Sequence, residues 1–244
     1  MPPFDQVSDR DKSDVGAHPC GRCQVGEVAF CTGLTGRDIQ RLSTVVGQIQ
    51  FPDGTAIFRE GEAAVYLYSV AVGTLKLYKL MPDGRRQITA FLFPGDFFGL
   101  AVDGGYAYTA EALSPVVLCR FPRRKLDQVL DDVPRIEKRL LGLAIDELAA
   151  AHEQMLLLGR KTAREKVASF LMMLSRRAER RGLLPSPIAL PMSRSDIADY
   201  LGLTIETVSR TLTQLKRDGV IGLPDSAHAV LTGLPELKRI ADGT

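Results

Sequence analysis

Between Gln50 and Asp96 the chain is punctuated by turn signals, PDG at 52–54, EGE at 60–62, Gly73, MPDG at 81–84 and FPGD at 93–96, and after Val133 that punctuation stops. Turns about 8 to 12 residues apart leave room only for short strands, so VYLYSVAV, TLKLYKL and QITAFLF read as strands of an antiparallel roll built from hairpins. VVLCRF at 116–121 closes the series. Before it, LTGRDIQRLSTVVGQI reads as a short helix, with Leu34, Ile39, Leu42, Val45 and Val46 near one face and Thr35 placed three residues ahead of Asp38 as a cap. From Val133 to Leu158 apolar residues return at helical spacing, through Ile136, Leu140, Leu143, Ala151, Met155 and Leu158. That is long for a helix serving only to cover its own roll; an apolar seam of this length between two domains points to a homodimer.

KVASFLMMLSRRAERRG is a second amphipathic helix ending at Gly182, and LPSPIALPM after it is a loop or strand. SRSDIADYLGLTIETVSRTLTQLKRDGVI then holds two helical patterns separated by LGLT. In the first, Ser193 and Asp196 form a capping signature, and Ile197, Ala198 and Leu201 face inward. Gly202 supplies the sharp turn, Thr204 caps the second helix, and Ile205, Val208, Leu212 and Leu215 make its inner stripe. This is the pattern of a helix-turn-helix. Its outer stripe, Glu206, Ser209, Arg210 and Thr213, is polar throughout. Arg210 can bridge a guanine, Glu206 can accept from a cytosine amino group, and Ser209 can touch a neighbouring base. Arg194, Thr204, Thr213, Lys216 and Arg217, with Arg160 and Lys161, are expected phosphate contacts, which fix register without reading sequence.

Charge distribution agrees with a polyanionic partner. Residues 159–222 hold twelve Lys and Arg against six Asp and Glu, whereas residues 1–158 hold seventeen against twenty. The opening MPPFDQVSDRDKSDVGAHP has no apolar core, which excludes a secretory signal, and no apolar run is long enough to span a bilayer. A cytoplasmic protein without membrane partners is expected. An enzyme is not: the three histidines, His18, His152 and His228, are scattered, and neither a Ser-His-Asp arrangement nor a phosphate loop occurs.

Cys20, Cys23 and Cys31 fall within HPCGRCQVGEVAFC, and the fourth cysteine is Cys119. In a reducing compartment such a cluster points to metal or redox chemistry rather than a disulfide. Four thiolates suit a cubane iron–sulfur cluster or a structural zinc, and spacing does not separate the two. A CxxC redox pair lacks the βαβ setting, and Cys119, alternating with Val117 and Phe121, can equally be a core thiol.

The order of β-roll, long helix and helix-turn-helix, together with DIADYLGLTIETVSR, resembles the FNR branch of the CRP and FNR superfamily of bacterial transcription regulators, from about His18 to the end. The resemblance implies an α+β fold: a jelly-roll-like antiparallel β-roll, a dimerisation helix and a winged helix-turn-helix. The divisions would be a cysteine-rich segment over 1–32, the roll over 33–130, the helix over 131–159 and the DNA-binding domain over 160–244. In that branch E-x-x-S-R, matched here by Glu206, Ser209 and Arg210, reads TTGAT-type half-sites in an inverted repeat. The resemblance also implies one 4Fe-4S cluster per chain on Cys20, Cys23, Cys31 and Cys119, lost in oxygen with weakening of the dimer. It places Glu153 near the subunit seam, where a carboxylate facing its symmetry mate opposes dimerisation. A haem sensor of this fold would have only His18 available as an axial ligand in this N-terminal region. The loop LMPDGRR, with Asp83, Gly84 and Arg85, resembles the family's RNA polymerase contact; an ordinary hairpin tip is the alternative. Nucleotide-binding relatives carry a Glu after the FxG turn and an Arg about ten residues later. Here Leu100 follows Gly99 and no Arg stands between Gly95 and Leu118, so no cyclic nucleotide is expected.

Overall fold

The structure is a computed structural model that describes residue 31 and residues 34–244. Helix α1 (Gly36–Ser43) leads into β1 (Gly47–Phe51), β2 (Ala56–Phe58), β3 (Tyr66–Val72), β4 (Leu75–Leu80), β5 (Arg86–Leu92), β6 (Phe97–Phe98), β7 (Ala101–Val102), β8 (Gly105–Tyr106), β9 (Thr109–Ala112) and β10 (Val116–Pro122). Then follow α2 (Arg123–Asp132), α3 (Pro134–Arg160), α4 (Ala163–Arg180), β11 (Ile188–Ala189), α5 (Arg194–Leu201), α6 (Ile205–Arg217), β12 (His228–Ala229) and α7 (Leu234–Asp242). All strand pairings are antiparallel. The roll is two four-stranded sheets, ordered β1-β10-β3-β6 and β2-β9-β4-β5, with a small β7–β8 hairpin. Reciprocal capping boxes fix the helix starts at α1 (Thr35 and Asp38) and α5 (Ser193 and Asp196), as the sequence predicts, and also at α4 (Thr162 and Glu165).

Three apolar clusters organise the chain. The first fills the roll, with Leu75, Leu77, Phe98, Val116 and Leu118. The second lies outside it, where β10, α1, α2 and the start of α3 meet. The third is the core of the C-terminal domain and reaches onto the outer faces of β4 and β5 through Tyr78, Ile88 and Phe91. The β4–β5 hairpin is therefore covered on both sides, and the first four residues of β4, Leu75 to Tyr78, are all buried. Simple alternation along a half-exposed strand does not anticipate this, because the second cover is a separate domain.

Ionic and polar contacts cross the same boundary. Lys76 Nζ donates to Asp196 at 2.9 Å and lies 3.0 Å from Glu111, with Lys76 and Asp196 side chains only 7% exposed. Arg86 Nη2 reaches Asp196 at 3.0 Å and Asp199 at 2.7 Å. Gln87 donates to the carbonyl oxygens of Asp199 and Tyr200 at the end of α5. Phe91 meets the rings of Phe170 and Tyr200 at 6.0 and 5.2 Å.

The long helix differs from expectation in which face it leaves open. Ile136 is wholly buried, and Leu140 and Leu143 pack with it on the cluster outside the roll; Leu158 packs on the C-terminal core. These four serve their own chain. The outward apolar face is Leu141, Ile145, Leu148 and Met155, each 58–61% exposed, with His152 completing the heptad spacing. Ala151, Glu153 and Met155 of the expected seam are exposed, Glu153 beside His152. Helical periodicity marks apolar positions but does not say which stripe the same chain covers. Helix α2 was not anticipated either: its sequence, RRKLDQVLDD, has only Leu126 and Val129 buried.

Burial alone would raise the Asp196 carboxyl pKa, but hydrogen bonds from Ser193 and Lys76 and the Lys76 charge overcome it and hold the group below its ordinary 3.8. Its contribution to stability is thus present above pH 3.8 and lost as acid titrates the folded state. Asp196→Asn should lower stability at pH 7 by about 3 kcal/mol, the scale for breaking a buried ion pair. In thermal melts, the gap between variant and parent should close as pH falls below 3.8.

Candidate DNA-reading helix and cysteine site

Each end of the helix-turn-helix is set locally. Ser193 Oγ accepts from the Asp196 N–H at 3.0 Å, starting α5. Gly202 ends it at φ 60°, ψ 45°, a left-handed conformation that favours glycine, and Leu203 N–H donates to Ala198 O at 3.0 Å. A Cβ on Gly202 would stand 3.2 Å from Leu158 Cδ2, so the turn is tight against α3 as well. Thr204 Oγ1 accepts from the Thr207 N–H at 3.2 Å and starts α6. Ala198, Val208, Leu212 and Leu215 are buried where α5 and α6 join the domain core. Ile205 is 46% exposed and is not part of the inner stripe.

The outer stripe stands open: Glu206, Ser209, Arg210 and Thr213 are all exposed on one side of α6. The backbone N–H of Glu206 and the Thr204 hydroxyl hold its carboxyl below the usual glutamate value, leaving an ionised acceptor at the start of the helix. Thr213 Oγ1 donates back to Ser209 O at 2.9 Å. Lys216 and Arg217 are exposed in the last turn of α6. Arg194, at the first turn of α5, is half-buried; burial pulls its guanidinium below the usual arginine value, and its Nη1 has no hydrogen-bond partner among the described residues. Lys161 is used differently from expectation: its Nζ donates to Ser169 Oγ and Ala241 O, both at 2.8 Å, tying α4 to α7. Arg160 is exposed.

Of the four cysteines, Cys31 and Cys119 are described; Cys20 and Cys23, like His18, lie outside the described residues. Strand β10 turns Val116 and Leu118 into the roll and Cys119 and Phe121 the other way, onto the helical side. Cys31 packs against that same outer cluster. Both thiols are half-buried, and the cluster they share includes Ile136, with Leu140 and Leu143 packed on it. The first turns of α3 thus rest on the surface that carries both cysteines. Soft thiol donors in an apolar setting fit an iron–sulfur cluster or zinc, and the two described donors are consistent with either.

Asp83, Gly84 and Arg85 form the tip of the β4–β5 hairpin, where Gly84 takes φ 84° and Arg85 Nε donates to Asp83 at 2.7 Å. Leu80 and Met81 beside them are 59% and 45% exposed. On the other side of the roll the Gly99 N–H donates to the Tyr108 hydroxyl at 3.0 Å, and Arg123 spans Ala64 O and Gly99 O, both at 2.9 Å. Burial pushes the Tyr108 phenol up to about 12, so it stays neutral. Among the described residues no helix is long and apolar enough to cross a membrane.

Comparison with known proteins places these features in a group. Residues 48–133 match a family model described as a cyclic nucleotide-binding domain, and residues 190–221 one described as bacterial regulatory proteins, crp family. The chain is 40% identical to the nitrogen fixation regulation protein FixK of Bradyrhizobium diazoefficiens, across 84% of this chain and 87% of that protein. It is 38% identical to the transcriptional activator protein FnrL of Cereibacter sphaeroides, across 92% of each. The structure of FixK2 from Bradyrhizobium japonicum superposes with a TM-score of 0.76 at 40% identity, covering 80% of this chain and 97% of that one.

The turn gives a direct test of the helix-turn-helix geometry. Gly202→Ala should destabilise the protein by about 1–2 kcal/mol, the cost of a Cβ in the left-handed region, measured by denaturant unfolding. An unchanged midpoint would show that the turn tolerates a side chain and that the left-handed geometry is not required.

Proposed function

Because the chain belongs to the FNR branch of the CRP/FNR family of bacterial transcription regulators, whose members bind DNA and act as dimers, we propose that this regulator, which is not an enzyme, is an oxygen-responsive activator. Its sensor would be one 4Fe-4S cluster held by Cys20, Cys23, Cys31 and Cys119, and its target an inverted repeat of TTGAT-type half-sites serving anaerobic or microaerobic genes. The observation that carries this reading is the shared apolar surface under Cys31, Cys119 and the start of α3. A bound cluster supplies an iron–sulfur centre whose stability depends on oxygen. The chain's own part is mechanical: Cys31 and Cys119 share an apolar cluster with Ile136, Leu140 and Leu143, so what they hold bears on the helix that carries the subunit seam. One relative, 30% identical across 91% of this chain, is named the fumarate and nitrate reduction regulatory protein of Salmonella typhi.

At the DNA, Glu206, Ser209 and Arg210 read bases from the exposed side of α6, while Arg194, Thr204, Thr213, Lys216 and Arg217 hold phosphates. The tip at Asp83, Gly84 and Arg85, flanked by exposed Leu80 and Met81, contacts RNA polymerase. No cyclic nucleotide is expected in this reading, because Leu100 stands after Gly99 where nucleotide-binding relatives carry Glu, and no Arg lies between Gly95 and Leu118. The protein acts in the cytoplasm. A second reading, with zinc in place of the iron–sulfur cluster and another signal, rests on the same thiols.

Protein purified without oxygen should carry about four iron and four acid-labile sulfide per chain, absorb in the visible and bleach in air; Cys119→Ser should lose all of these. Colourless protein containing zinc would select the second reading. For the dimer, Ile145→Lys or Leu148→Lys should abolish self-association in sedimentation, whereas Leu141, Ile145 and Leu148 replaced by Ala one at a time should weaken it in steps.

A further inference from the structure

The covalent connection between the long helix and the C-terminal domain is slight. Helix α3 ends at Arg160 and α4 begins at Ala163, with Lys161 and Thr162 both extended between them. Two residues of chain do not by themselves fix the angle between α3 and the reading helix, which is set by noncovalent contacts: Leu158 against Gly202, and those that hold α5. The apolar contacts of Phe91 with Phe170 and Tyr200 are non-directional and tolerate sliding. The polar contacts do not. Asp196 and Asp199 lie one turn apart on α5; Lys76 and Arg86 reach the first, Arg86 the second through Nε at 2.9 Å and Nη2 at 2.7 Å. The end of α5 is held by two further side chains, Gln87 of β5 to the Asp199 and Tyr200 oxygens and Gln154 of α3 to Tyr200 O at 2.8 Å. Helix α5 is locked to α6 through Gly202, so whatever fixes α5 fixes the reading stripe.

We propose that Lys76, Arg86, Gln87, Asp196 and Asp199 are positioning residues that set the separation and pitch of the two reading helices in the dimer, and thereby the half-site spacing the regulator accepts. This rests on the reading that the protein binds an inverted repeat as a dimer through α3. The clamp touches no DNA: its groups face the roll, while Glu206, Ser209, Arg210 and Thr213 face outward. It acts through geometry. A directional salt bridge between elements over 100 residues apart transmits orientation, which a merely cohesive interface would not.

The test uses full-length protein and duplexes in which the two half-sites are kept and the spacer is lengthened or shortened by one base pair. The parent should prefer one spacer. Arg86→Met, Asp199→Asn and the milder Gln87→Met should bind a single half-site with parental affinity. On the paired site they should lose the spacer preference by on the order of tenfold, a typical coupling between sites. Variants that fold, bind and keep the parental preference would overturn the proposal, as would tighter binding at every spacer, which would make the clamp a restraint. A parent with no preference for any paired site would instead bring down the dimer reading, and the positioning role with it.

Discussion

Two-sided burial of the β4–β5 hairpin is the constraint on which the remaining geometry depends. One face completes the roll through Leu75 and Leu77; the other carries Tyr78, Ile88 and Phe91 into the core of the C-terminal domain. A hairpin so placed cannot shift for one domain without disturbing the other. Burial of Lys76 in this interface is tolerable only because Asp196 and Glu111 meet it at 2.9 and 3.0 Å. The roll and the C-terminal domain are consequently packed as neighbours with a shared wall rather than as beads on a linker.

Local chemistry was legible in the sequence, and long-range chemistry was not. Capping boxes at Thr35 and Ser193, the left-handed Gly202 and the buried Val208, Leu212 and Leu215 follow from residues within a few positions of one another. The exposed polar stripe of α6 follows from the same short segment. Nothing local pairs Arg86 with Asp199 or Lys76 with Asp196, whose partners are 113 and 120 positions apart. Lys161 likewise reads as a surface cation until Ala241 O, 80 residues on, is seen to accept from it.

The long helix shows a different limit. Its pattern of apolar residues at helical spacing is real, yet it contains two stripes. Ile136, Leu140 and Leu143 lie against the chain's own cluster, while Leu141, Ile145 and Leu148 lie outward. Hydrophobicity sets both stripes apart from the polar positions but assigns neither to a partner. Only the placement of α1, α2 and β10 against the start of the helix decides between them. Cys119 poses the same question on a strand: alternation gives it a face, and the packing of α1 and α2 says that this face belongs to the helical side.

The 27 residues of α3 also act as a lever. At about 1.5 Å per residue the helix is ~40 Å long, so each degree of tilt at its buried root moves the far end by roughly 0.7 Å. The root rests on the cluster beneath Cys31 and Cys119, and the far end abuts the glycine turn through Leu158. Any tilt at the root is therefore magnified where the helix meets the glycine turn.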